Sequence, residues 1–187
     1  MLRVIAGSLK GRRLATPKWE GLRPTSDKLR ETLFNILASR VEEARVLDAY
    51  AGTGAIGIEA LSRGAAHVTF VDDDARAAKL VGENVERCGL QAGQPARYAI
   101  IRGRIGAKTP LSLAPQSIDL AVLDPPYDDT DLAAALIAAE PFIASGGLVV
   151  LEHARRRAAP EAAGSLSHMR SVNAGDSALA FYSRSST

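Results

Sequence analysis

Several protein classes are excluded by what this chain lacks. It has one cysteine, Cys88, so no internal disulfide can form, and a reducing cytosol suits it. Cys88 falls late in a predicted helix and is expected to be a small core residue. There is no run of about 18 apolar residues, so no membrane-spanning helix is expected. The opening Met1-Leu2-Arg3-Val4-Ile5 is too briefly apolar for a secretory signal. His67, His153 and His168 are scattered without metal-ligand spacing, and are expected at the surface or at strand ends. No repeat, low-complexity tract or linker is evident. What remains is ordinary globular composition, with 47% hydrophobic and 24% charged residues over 187 positions. That is enough chain for one domain with a real core.

The net charge is only +2, but it is unevenly spread. Residues 1–30 contain Arg3, Lys10, Arg12, Arg13, Lys18, Arg23, Lys28 and Arg30 against Glu20 and Asp27, giving +6 and leaving −4 for the remainder. A basic segment on a mildly acidic body suits a polyanionic partner. A merely solvated hairpin is the equally simple reading.

Two short strands, Arg3 to Ala6 and Arg13 to Thr16, flank the loop Gly7 to Gly11 and predict a hairpin. Thr25-Ser26-Asp27 offers caps for a helix whose Leu29, Leu33, Ile36 and Leu37 share one face. From Arg45 onward, strand and helix alternate. Strands are predicted at Val46-Leu47, Val68 to Val71, Tyr98 to Ile101, Ile118 to Leu123 and Leu148 to Leu151. Helices are predicted at Ala55 to Arg63, Ala75 to Cys88 and Leu132 to Ala139. Two tail strands follow, Met169 to Val172 and Ala178 to Tyr182. Near-continuous apolar strands between helices predict an α/β, doubly wound, mostly parallel sheet, with ligands beyond the carboxyl ends of its strands.

The first strand runs into a glycine-rich turn, Asp48-Ala49-Tyr50-Ala51-Gly52-Thr53-Gly54-Ala55-Ile56-Gly57. Asp72, at the tip of the second strand, suits a carboxylate that accepts from a ribose diol. The acid ahead of the glycines separates two cofactors. A dinucleotide needs bare backbone facing its pyrophosphate. S-adenosylmethionine carries an α-ammonium group instead, which Asp48 can help to hold. The predicted cofactor residues are therefore Asp48, Tyr50, Gly52, Thr53, Gly54 and Asp72.

The fourth strand ends in Asp124-Pro125-Pro126-Tyr127. The two prolines stop the strand and remove two N–H donors. What is left is a rigid loop of acceptors with one aromatic ring. An exocyclic amine conjugated to a base is a poor nucleophile. Acceptors on both of its N–H bonds, here the Asp124 carboxyl and the Pro125 carbonyl, free its lone pair. Tyr127 can stack on an extruded base. Asp124, Pro125, Pro126 and Tyr127 form the predicted catalytic set, acting mainly through positioning and electrostatics.

Beyond these motifs, the sequence resembles the bacterial small-subunit ribosomal RNA guanine-N2 methyltransferases over nearly its whole length. The stretches that carry the resemblance are Arg3 to Gly7, Lys10 to Leu14, Arg23 to Asn35, Leu47 to Gly54, Gly57 to Ala65, Asp124 to Tyr127 and Gly175-Asp176. The resemblance implies a Rossmann-like class I methyltransferase fold with a seven-stranded sheet and S-adenosylmethionine as donor. It also implies one guanine in 16S ribosomal RNA as target, within the small subunit or an assembly intermediate. It implies a basic hairpin extension, residues 1–24, ahead of a methyltransferase domain, residues 25–187. Lys10, Arg12, Arg13, Arg23, Thr25 and Arg30 would contact RNA. A cytoplasmic monomer is expected. One departure is Ile101-Arg102-Gly103-Arg104, which puts arginine where the wider fold often has an acid for the adenine amino group. Trp19 either packs the hairpin onto the body or stacks on RNA. Three alternatives remain: an adenine-N6 DNA or glutamine-N5 protein methyltransferase with the same cofactor site, an NAD-dependent oxidoreductase, and a non-catalytic RNA-binding module.

Overall fold

The computed structural model describes residues 1–20, 25–90, 96–106, 112–126 and 131–184. The predicted site residues Arg23 and Tyr127 lie outside them. The α-helices are α1 (Asp27–Leu37), α2 (Ala55–Ser62), α3 (Ala75–Arg87) and α4 (Leu132–Ala139). The strands are β1 (Arg45–Ala49), β2 (His67–Asp72), β3 (Tyr98–Arg102), β4 (Ile118–Leu123), β5 (Ile143–Ala154), β6 (Ala162–Ala163), β7 (Leu166–Ala174) and β8 (Ser177–Arg184). They form one sheet in the order β3-β2-β1-β4-β5-β8-β7-β6. The first five are mutually parallel. The β6, β7 and β8 strands run antiparallel to their neighbours, with β8 lying between β5 and β7. Among the described residues the sheet thus has eight strands rather than the expected seven. The extra one is the two-residue β6, too short to show any periodicity.

Strand alternation divides the core between the two faces. Val46, Phe70, Val122 and Val150 pack beneath α1, α2 and α3, whereas Leu47, Val71, Leu123 and Leu151 pack against α4. The Ser26 side chain caps α1 by accepting from the Leu29 N–H at 3.2 Å. Cys88 is buried just beyond α3, as expected. His153 is buried at the carboxyl end of β5, the strand-end placement of the two expected for it.

The N-terminal hairpin is held by Val4 N–H to Arg12 carbonyl and Leu14 N–H to Leu2 carbonyl bonds of 2.9 and 3.0 Å. The two expected strands shrink to the single bridge Arg3–Arg13. Beyond the bridge the chain is fastened to α2 instead: the Glu59 carboxylate accepts from the Ile5 and Ala6 N–H groups at 2.7 and 2.9 Å. Leu2, Val4 and Leu14 join the core on the α1–α3 face.

Candidate active site

At the carboxyl ends of β1, β2, β4 and β5 lies a cleft of about 850 Å³. Asp48, Asp72, Asp124 and Glu152 line it, along with Thr25 and Ser26 from the start of α1 and Gly175-Asp176 from the β7–β8 turn. Two distant parts of the sequence therefore close a site that the parallel strands open.

The glycine-rich turn is fixed by carboxylates. Asp48 is 2% exposed, and its Oδ2 accepts from the Gly57 N–H at 2.8 Å. Burial, opposed by that bond and reinforced by the Asp72 charge, pushes its pKa up to about 7. The Asp72 carboxylate accepts from the Gly52 and Asp74 N–H groups at 2.8 and 2.9 Å. Burial raises its pKa as well. Asp74 is committed elsewhere: it caps α3 through the Arg76 N–H and pairs with the Arg76 guanidinium at 2.6 Å. Of the three consecutive acids, Asp72 is thus the one tied to the glycine turn. Gly54 caps α2 at φ +73°, a conformation that glycine adopts without strain. Tyr50 takes φ +61° in the same turn.

Sequence reasoning missed Asn84, which clamps this loop. Buried on α3, it donates to the Thr53 carbonyl at 2.9 Å and accepts from the Ala15 N–H at 2.6 Å. One amide therefore ties the cofactor loop to the N-terminal segment. A polar residue in the last third of a helix gave no signal of this.

On the other side of the cleft, the Asp124 N–H donates to the Ala49 carbonyl at 3.4 Å, and Thr25 Oγ1 donates to Asp124 Oδ2 at 3.3 Å. Pro125 and Pro126 also line the cleft. Burial first, and then the neighbouring Glu152 charge, raises the Asp124 pKa well above the usual carboxylate range. Glu152 also escaped sequence reasoning. It is 4% exposed on β5, and its carboxyl group hydrogen bonds Asp124.

The predicted RNA-contact residues are only partly brought together. Lys10, Arg12 and Arg13 are exposed on the hairpin. The hairpin tip lies beside Ser62, where the Ser8 N–H donates to the Ser62 carbonyl at 2.8 Å. That is the far end of α2 from the cleft, about 12 Å away along the helix axis. Arg30 does not fit the prediction. It is fully buried, bonded to Asp27 at 2.6 Å and to the Arg3 carbonyl at 2.8 Å, and has Glu59 3.8 Å away. It holds the hairpin rather than facing solvent. The Thr25 hydroxyl is turned to Asp124 instead of outward. Trp19 lines the cleft with the Arg76 guanidinium 5.1 Å from its ring centre.

The lining is rich in acids: among the described residues Glu20, Asp48, Asp72, Asp73, Asp74, Asp124, Glu152 and Asp176 face only Lys28 and Arg76 as formal cations. Such a field repels a pyrophosphate and favours a ligand with ammonium and sulfonium charges. Carboxyl groups at Asp48 and Asp72, on either side of a glycine turn, are of the kind that an ammonium group and a ribose diol of S-adenosylmethionine require. Fold and site together define an S-adenosylmethionine-dependent methyltransferase of the Rossmann-like class.

The family described as conserved hypothetical protein 95 matches residues 2–183, and the chain belongs to it. It is 34% identical over 187 residues to "Putative rRNA methyltransferase YlbH" of Bacillus subtilis, covering 98% of this chain and 99% of that protein. It is 46% identical over 92 residues to "Ribosomal RNA small subunit methyltransferase D" of Escherichia coli strain K12, an alignment spanning 49% of this chain and 46% of that one. Among solved structures, "Putative methyltransferase yhhF" from Escherichia coli superposes with a TM-score of 0.81 at 29% identity, covering 98% and 97% of the two chains.

Proposed function

We propose that this protein methylates the exocyclic N2 of one guanine in 16S ribosomal RNA, acting as a cytoplasmic monomer on the small subunit or an assembly intermediate. The observation that carries this reading is the shared cleft, which the Asp124-Pro125-Pro126 loop lines together with the Asp48 and Asp72 carboxyl groups. Names of similar proteins that specify ribosomal RNA support the substrate class.

S-adenosylmethionine, when bound, supplies an electrophilic methyl group. Asp48 holds the α-ammonium, Asp72 the ribose diol, and Tyr50, Gly52, Thr53 and Gly54 the intervening backbone contacts. The recess lined by Tyr50, Val71, Asp72, Asp73, Gly103, Arg104 and Ile105 adjoins the cleft and supports placing the adenine at that end. None of the described residues from Gly103 to Gly106 is an acid, so backbone groups there recognise the base. Asp124 accepts one N–H of the target amine and the Pro125 carbonyl the other, which concentrates the nitrogen lone pair. Tyr127 stacks on the extruded base. The division proposed is a hairpin extension, residues 1–24, on a methyltransferase body, residues 25–187. Lys10, Arg12, Arg13 and Arg23 contact RNA phosphates. Affinity then depends steeply on salt.

The test is a methyl-transfer assay with labelled S-adenosylmethionine on unmodified small subunits, on DNA and on protein, followed by identification of the product. N2-methylguanosine at one position of the ribosomal RNA is expected. Label in N6-methyladenine or glutamine would overturn the substrate and leave the cofactor site standing.

A further inference from the structure

Glu152 takes no part in the chemistry assigned to Asp124, yet it sits beside it. Parallel pairing sets Leu123 opposite Leu151, so Asp124 and Glu152 are neighbours one residue further along. Both side chains lie on the sheet face that carries Asp48, and both line the cleft. Glu152 is 4% exposed and hydrogen bonds the Asp124 carboxyl group. Two carboxyl groups can bond in this way only with a proton between them. That proton stays inside the pair, so the remaining oxygens of the two groups are acceptors. The Thr25 hydroxyl fixes the Asp124 side at 3.3 Å.

A single carboxyl group and the Pro125 carbonyl already serve one amine. A second buried acid calls for a second donor. Purines differ at this point. The Watson–Crick edge of guanine sets N1–H beside the N2 amine, two donors in a row. Adenine sets the bare N1 acceptor beside its amine. An extruded base is read along this edge. We propose that Glu152 accepts from the N1–H of the target guanine while Asp124 accepts from its N2 amine, so that the paired carboxyl groups choose the base by its two adjacent donors. This assignment rests on the guanine-N2 reading. A base with a bare N1 sets an acceptor against an acceptor, and sites built to bond a donor reject analogues that lack it.

The test uses small subunits reconstituted with RNA carrying guanine or 2-aminopurine at the position that the wild-type enzyme methylates. 2-Aminopurine keeps the N2 amine and lacks the N1 hydrogen. Wild type should favour guanine by about 100-fold or more in kcat/KM. Glu152→Gln, whose amide can donate to the bare N1, should shrink that ratio at least about tenfold, with S-adenosylhomocysteine binding and melting temperature retained. An equal ratio in variant and wild type overturns the proposal, as does a wild-type ratio near one. Should Glu152→Gln not fold, Glu152→Asp withdraws the carboxyl group by one methylene and must lower the ratio instead; an unchanged ratio again overturns it. Absence of N2-methylguanosine from wild type acting on natural subunits is a distinct result, which removes the guanine reading itself and this assignment with it.

Discussion

Burial holds the Asp48 carboxyl group near its titration point, which gives the free protein a pH signature. Its pKa rises from 3.8 to about 7 on folding, so the folded state binds the extra proton between those limits. Stability from this group is therefore greatest at the acid end of that window and falls as pH rises through it, by on the order of 4 kcal/mol in all. Cofactor binding runs the other way, because holding an ammonium requires the carboxylate. S-adenosylhomocysteine affinity should weaken as pH drops below about 7 in wild type, and should be weak and flat in Asp48→Asn. Titration calorimetry across pH 5.5 to 8.5 would check this, and identical profiles would remove Asp48 from the ammonium site. Asp124→Ala should lower kcat by about 100- to 1000-fold while cofactor binding survives, measured as single-turnover methyl transfer. Asp48, Asp72 and Asp124 were legible because each follows an apolar run into a turn. Glu152 follows such a run too, after Leu148 to Leu151, but only strand register sets it beside Asp124. Arg30 was misplaced for a simpler reason. It shares a helix face with Leu33, Phe34 and Leu37, a stripe that turns inward, and its charge outweighed that spacing.

Among the elements, α2 packs closely on β2. A Cβ at Gly57 would run into the Phe70 ring and Val68, so Gly57→Ala should cost about 1–3 kcal/mol in denaturant unfolding. The same substitution would push Gly57 N–H off Asp48. Glu59, two residues on, is buried beneath Arg30 and Arg63 and holds two hairpin N–H groups. Removing one partner from a buried charge network leaves the others uncompensated. Glu59→Ala should destabilise the protein by about 3–5 kcal/mol. Hydrogen exchange at Ile5 and Ala6 should quicken more than at the β1 amides; equal change at both would mean that the hairpin is not held by this residue. The α-helices were legible to within a residue or two because their apolar spacing and caps agree. The hairpin was legible as a turn but not as a docked element, since its fastening is a side chain 54 positions away.

Across the whole molecule, basic charge lies on the hairpin and acidic charge around the cleft, so the proposed RNA footprint and the proposed base chemistry occupy different regions. Reversing both Arg12 and Arg13 should flatten the dependence of log affinity on log salt by about 1.5 to 2, read by filter binding at several salt concentrations. An unchanged slope would move the RNA footprint elsewhere. The parallel half of the sheet was legible in the alternation of strands and helices. The order of the antiparallel half was not, because pairing between β5, β8 and β7 depends on which strand inserts where. That order has its own consequence for how the chain comes together. Among the described residues β7 bonds only to β6 and β8, and β8 alone joins them to β5. The strand made last is thus a keystone. Until it slides into place, β5 presents an open edge, β6 and β7 have nothing to dock on, and the turn at Gly175-Asp176 cannot wall the cleft. A chain interrupted before β8 therefore leaves β6 and β7 undocked and takes away one side of the active site at a stroke.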